Sequence, residues 1–66
     1  MKIKVNGKDM EVKENITIKE LLDELKIAQK TMAAAVNMQV VKKEDWCKRV
    51  IKEGDKVEFL NFVGGG

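Results

Sequence analysis

Two short runs on either side of Asn6-Gly7 do most to limit what this chain can become. Met1, Ile3 and Val5 point one way and Lys2 and Lys4 the other, and the alternation resumes from Lys8 to Val12 with Met10 and Val12 on the apolar side. A period of two makes a strand with one buried face. Asn-Gly supplies the two positive-φ positions of a type I′ turn, whose twist suits paired strands. The first twelve residues therefore predict a β-hairpin, Met1 to Val5 and Lys8 to Val12.

The period then changes. Ile18, Leu21, Leu22 and Leu25 recur at i, i+3, i+4 and i+7, the stripe of one helix face, with Lys19, Glu20, Asp23 and Glu24 opposite. Thr17 stands as N-cap with Glu20 three residues on, a capping box, and Ile16 and Leu21 are placed as its hydrophobic staple. Lys19 and Asp23 fall at pairing distance along the helix. The helix is expected to end near Lys26, where a cation suits the negative end of the dipole.

Gln29 to Met32 reads as a polar connection and Ala33 to Val36 as a buried strand. Alanine prefers helix, so small side chains there suggest close approach of sheet and helix. Asn37-Met38 reads as a second tight turn and Gln39 to Val41 as a returning strand. Lys42 to Ile51 is a long connection with a helical turn, anchored by Trp46, Val50 and Ile51. Glu53-Gly54-Asp55 is a turn, and Lys56 to Val63 the last strand, with Val57 and Phe59 inward. The order β-β-α-β-β-turn-β is that of an α+β domain, one helix packed across one face of a mixed sheet of four to five strands.

Composition narrows the chemistry. The 66 residues make one small domain and hold one cysteine, Cys47, and no histidine. An internal disulfide is impossible, and a lone thiol suits a reducing cytoplasm. Without histidine the commonest general base and metal ligand are both missing. Nothing in the sequence forms an acid–base pair or nucleophile constellation, so the chain is not expected to be an enzyme. Cys47 lacks an activating partner beyond Lys48 and Arg49 and reads as a structural or exposed thiol. Trp46 reads as the cap of a small core. Thirteen basic against 11 acidic residues give a net charge of +2, and the basic stretch Lys42, Lys43, Lys48, Arg49 and Lys52 lacks the interleaved aromatics of single-strand binders. It reads as a solvated face, with no nucleic-acid partner. No apolar run approaches a membrane span, and Met1 to Lys4 alternates too strictly for a signal peptide. A soluble cytoplasmic chain, monomeric when free, is the expectation.

Several segments together resemble one family. The Met1-Lys2-Ile3 strand with Asn6-Gly7, Ala33 to Asn37, Glu44-Asp45-Trp46, Lys52 to Glu58 and the closing Gly64-Gly65-Gly66 are similar to the β-grasp sulfur carriers of thiamin biosynthesis (ThiS). The small subunit of molybdopterin synthase (MoaD) shares that fold and a diglycine end but is usually somewhat longer. Met38 departs from the pattern, because the thiamin carriers often have glycine or a polar residue after that asparagine. The resemblance implies a ubiquitin-like β-grasp fold over residues 1–63, with the first and last strands parallel at the centre of the sheet and residues 64–66 as a flexible glycine tail. It implies a carrier whose Gly66 carboxylate is adenylated and converted to a thiocarboxylate. The partners implied are an E1-like adenylyltransferase of the ThiF or MoeB type, a sulfur donor such as a cysteine desulfurase, and a sulfur-accepting synthase of the thiazole synthase type. ATP and magnesium would belong to the activating partner, with no cofactor held by this chain.

The tail's chemistry follows from elementary principles. A carboxylate is a poor electrophile, because oxide would have to leave; a mixed anhydride with AMP supplies a leaving group. A terminal carboxyl with a pKa of about 3.5 is ionised and ready to attack ATP. Three glycines are thin, take backbone angles closed to other residues, and reach about 10 Å into a cleft at about 3.5 Å each. Gly64, Gly65, Leu60 and Phe62 are the expected contacts to the activating enzyme, the last two as an apolar patch on the sheet face away from the helix; a last strand buried on both faces, or ordinary scattered apolar surface, is the equal alternative. The same tail would serve a protein modifier that forms amides with lysines of other proteins. The acceptor is left open among thiamin thiazole, molybdopterin, a thiolated tRNA base and a sulfur-containing amino acid, with thiamin favoured by the resemblance.

Overall fold

The computed structural model describes residues 1–61. Strands β1 (Lys2–Val5) and β2 (Lys8–Glu11) pair antiparallel, with Ile3 opposite Met10. Asn6 and Gly7 join them with φ of 50° and 84°, the signs that a type I′ turn requires. Helix α1 (Ile18–Leu25) starts at Thr17, an extended residue with φ −91° and ψ 166°. The capping box is formed: the Glu20 N–H donates to Thr17 Oγ1 at 3.2 Å, and the Thr17 N–H to Glu20 Oε1 at 3.0 Å. Lys19 and Asp23 pair at 2.9 Å. The helix stops at Lys26, a left-handed C-cap whose N–H bonds back to the Asp23 carbonyl.

The connection after α1 is shorter than the sequence suggested. A single 3₁₀ turn occupies Ala28–Lys30, and β3 runs Thr31–Val36, two residues earlier than Ala33. Thr31 explains the difference. Its side chain is fully buried, and its hydroxyl donates to the Ile27 carbonyl at 2.8 Å and lies 3.2 Å from Asn61 Oδ1. A polar residue thus begins a strand in the core because its one polar group is satisfied there. The alanines also find their reason. Ala34 is buried directly opposite Phe59 on the neighbouring strand, where a larger side chain would compete with the ring.

Asn37 and Met38 form a second turn with positive φ at both positions, 51° and 71°, leading into β4 (Gln39–Val41). The long connection contains a 3₁₀ turn at Lys43–Asp45 and then buries Trp46, whose indole N–H donates to the Val41 carbonyl at 3.0 Å. Ile51 is buried as expected, but Val50 is exposed. What anchors the chain at Val50 is backbone: it forms an isolated antiparallel bridge with Thr17, and the Ile51 N–H bonds to the Ile16 carbonyl at 2.8 Å. The last strand, β5, is described over Lys56–Asn61; its expected continuation to Val63, and the boundary between body and tail, lie outside the described residues.

The sheet order is β2-β1-β5-β3-β4, with β5 parallel to β1 and antiparallel to β3. Ile18, Leu21 and Leu22 of α1 join Ile3 and Val5 of β1 and Val57 and Phe59 of β5 in one core. Among the described residues, the opposite face of the sheet carries no helix. Among the described residues no helix is long and apolar enough to cross a membrane.

Candidate functional site

The site is approached through β5, because that strand leads to the glycines. Both asparagines of the tight turns hold it. The Asn6 N–H donates to the Val57 carbonyl at 2.9 Å, and Asn6 Oδ1 accepts the Phe59 N–H at 2.8 Å. On the other side the Asn37 N–H donates to the Lys56 carbonyl at 2.8 Å, and Asn37 Oδ1 accepts the Lys56 N–H at 3.0 Å. The Asn37 amide also donates to Asp55 Oδ1 at 3.0 Å, while Asp55 Oδ2 takes the Lys52 N–H at 2.8 Å. Each turn asparagine therefore does two things: it adopts the left-handed backbone, and its side chain completes a rung on β5. Sequence reasoning found only the first. The signal for the second was the choice of asparagine, with its amide, at the leading position of both turns.

Leu60 points to the helix-free face and is 60% exposed, which decides for this residue between the two alternatives the sequence left open. Beside it on that face lie Ala33 and Ala35 of β3, both half-buried, and Val40 of β4, 76% exposed. These four, with Asn6, Ala34 and Phe59 and with the exposed carboxylate of Glu58 opposite Ala35, line a depression of about 260 Å³. Met38, at the hairpin tip, is 91% exposed. The β1–β2 half of the same face is charged, with Lys4 and Asp9 paired at 3.6 Å. Of the expected partner-binding residues, the structure places Leu60; Phe62, Gly64, Gly65 and Gly66 lie outside the described residues.

The other candidates separate cleanly. Cys47 is an exposed free thiol. Trp46 is a core residue, with the Lys43 ammonium 5.7 Å from its ring centroid. Lys42, Lys43, Lys48 and Lys52 are solvated, and Arg49 is partly covered. Glu20 has its carboxyl held below the ordinary carboxylate range, first by the Thr17 backbone N–H and then by Lys13, whose ammonium lies 3.1 Å away. That is a capping carboxylate with a structural task, remote in sequence from the tail.

A mixed sheet with its first and last strands parallel at the centre and a single helix across one face defines a ubiquitin-like β-grasp domain. Residues 3–66 match the ThiS family. The chain is 32% identical over 66 residues to the sulfur carrier protein ThiS of Escherichia coli K12, covering all of both chains. The crystal structure of the thiamine biosynthesis protein ThiS of Geobacter metallireducens superposes with a TM-score of 0.84 at 40% identity, again covering 100% of each chain. A thiazole synthase of Paramagnetospirillum magneticum is 32% identical over 66 residues, and there the chain spans only 20% of the relative's length. The chain belongs to the ThiS family of sulfur carriers.

Proposed function

We propose that this sulfur carrier works through the carboxylate of Gly66, presented by Gly64 and Gly65 to the active sites of other proteins. An E1-like adenylyltransferase holds ATP and its magnesium. The Gly66 carboxylate attacks the α-phosphorus, pyrophosphate leaves, and an acyl adenylate forms. The outer sulfur of a persulfide, charged by a donor such as a cysteine desulfurase, displaces AMP and gives an acyl disulfide. A thiol then cleaves the S–S bond and leaves a thiocarboxylate on Gly66. A synthase of the thiazole synthase type takes that sulfur for the thiazole of thiamin.

The observation that carries this reading is the position of β5. It is the central strand, paired on both sides and clipped by Asn6 and Asn37, and four residues separate its described end, Asn61, from Gly66. A firmly held root beside a thin glycine end is what delivery into a cleft requires. The relative named thiazole synthase, in which a matching region forms part of a longer protein, supports thiazole as the destination.

The test is intact-mass spectrometry of the purified chain after incubation with ATP, a ThiF-type adenylyltransferase, cysteine and a cysteine desulfurase. The expected product is about 16 Da heavier, one oxygen replaced by sulfur. Covalent adducts to lysines of other proteins would instead mark a modifier. A mass gain that survives deletion of Gly66, or native protein that continues past Gly66, would overturn the proposal.

A further inference from the structure

The backbone groups of β5 alternate in direction, and one side runs out of partners. Lys56 faces β3, as its bond with Asn37 shows, so Val57, Phe59 and Asn61 turn their N–H and C=O groups toward β1. But β1 ends at Val5, opposite Val57. Asn6 Oδ1 supplies one more rung by accepting the Phe59 N–H. Beyond it, among the described residues, the Phe59 carbonyl and the Asn61 N–H have no backbone partner on that side. The central strand thus becomes an edge strand just before the tail.

Unpaired edges are templates for strand addition. The two outer edges of this sheet are blunted in familiar ways: β2 carries Lys8, Asp9 and Glu11, and β4 has three residues. The gap beside Phe59 and Asn61 has neither protection. It borders the depression over Ala33, Ala35, Val40 and Leu60, a mostly apolar recess with Glu58 on its rim that can take a side chain of whatever pairs there.

We infer that an extended segment of the adenylating enzyme adds to β5 along Phe59–Asn61, its main chain bonded to that open edge and one apolar side chain seated in the depression beside Leu60. The inference rests on the proposed entry of Gly66 into that enzyme. Leu60 is four residues from Gly64, no more than about 14 Å along an extended chain. An enzyme that encloses the glycines is therefore against this edge. A gap of two rungs is too short to hold a second copy of the chain firmly but long enough to set the register of a strand belonging to an enzyme already bound to the glycines.

The experiment compares Asn61→Pro with Asn61→Ala. Both lose the side chain near Thr31; only proline also loses the N–H. Proline is accepted in a strand whose N–H faces an open edge, so the two variants should unfold at closely similar temperatures. Calorimetric titration into the ThiF-type adenylyltransferase should show Asn61→Pro binding about tenfold or more weakly than Asn61→Ala. Equal affinities would overturn the inference. So would an Asn61→Pro variant much less stable than Asn61→Ala, because the N–H would then be used within the fold. A free chain that sediments as a dimer and is made monomeric by Asn61→Pro would assign the edge to a second copy, and overturns it too. The unsubstituted chain is assayed in parallel for adenylation: if it is not adenylated the function itself fails, and if it is while the two variants bind alike, the edge pairing alone fails.

Discussion

Replacing Asn6 separates its two tasks. Asn6→Gly keeps a residue at ease with φ of 50° but removes the acceptor of the partly buried Phe59 N–H. A partly buried donor left without its partner costs about 1 kcal/mol. Asn6→Ala removes the same acceptor and also forces a Cβ into the left-handed region, a further cost of about 1–2 kcal/mol, for a total of about 2–3 kcal/mol. For a domain of this length the whole stability is about 3–10 kcal/mol, so the second loss is severe. Urea unfolding followed by Trp46 fluorescence measures both. With a slope of about 1 kcal/mol per molar for a small domain, the midpoint should fall by about 1 M for Asn6→Gly and about 2–3 M for Asn6→Ala. Hydrogen exchange should quicken at the Phe59 amide in both. If Asn6→Gly unfolds at the unsubstituted midpoint with Phe59 equally protected, the amide does not hold β5, and the account of why this strand is firmly rooted is wrong.

Met38→Gly should stabilise the chain by about 1 kcal/mol, or about 4–8 °C in thermal midpoint, because glycine relieves the left-handed strain at φ 71° and an almost fully exposed side chain gives up no burial; a lower midpoint would refute this. Glu20 has a folded-state pKa below its ordinary value, so the stability it contributes is present above about pH 4.3 and is lost as pH falls through the lower folded value. Urea titrations should therefore show the chain more stable than Glu20→Gln at pH 7, with the difference closing below about pH 4; a difference that grows in acid has the wrong sign. Leu60→Ser should leave the unfolding midpoint within about 0.5 kcal/mol of the original, as an exposed position does, yet weaken binding to the adenylyltransferase; unchanged affinity would remove Leu60 from the docking surface.

Most of the architecture was legible because local signals agreed with one another. The Asn6-Gly7 hairpin, the Thr17–Glu20 capping box, the α1 stripe and the Asn37-Met38 turn each follow from spacing and backbone chemistry, and each is present. What was not legible depended on partners distant in sequence. Thr31 looked like loop because nothing nearby says that its hydroxyl will find Ile27 and Asn61. Val50 looked like core because the pattern cannot distinguish a buried side chain from a backbone bridge to Thr17. Alternation placed Leu60 on the face away from Phe59 but left open whether that face was covered, and the open edge beside it was not legible at all, because it exists only through the register of β1 against β5.

That register also explains why so few residues suffice to make a delivery device. A parallel pair at the centre of the sheet puts the chain's last described strand between its first strand and β3, so β5 is secured by contacts far away in sequence: Asn6 is 53 residues from Phe59, and Asn37 is 19 from Lys56. The shortness of β1 then releases one side of β5 a rung beyond Asn6. One strand thereby changes from fully paired to half-open within three residues. A longer β1 would close the edge and move the turn into the space a partner needs, whereas a shorter one would leave Val57 unpaired and loosen the root. The length of β1, set by where Asn6-Gly7 falls in the sequence, therefore fixes both how firmly β5 is held and where the proposed partner's strand would meet it.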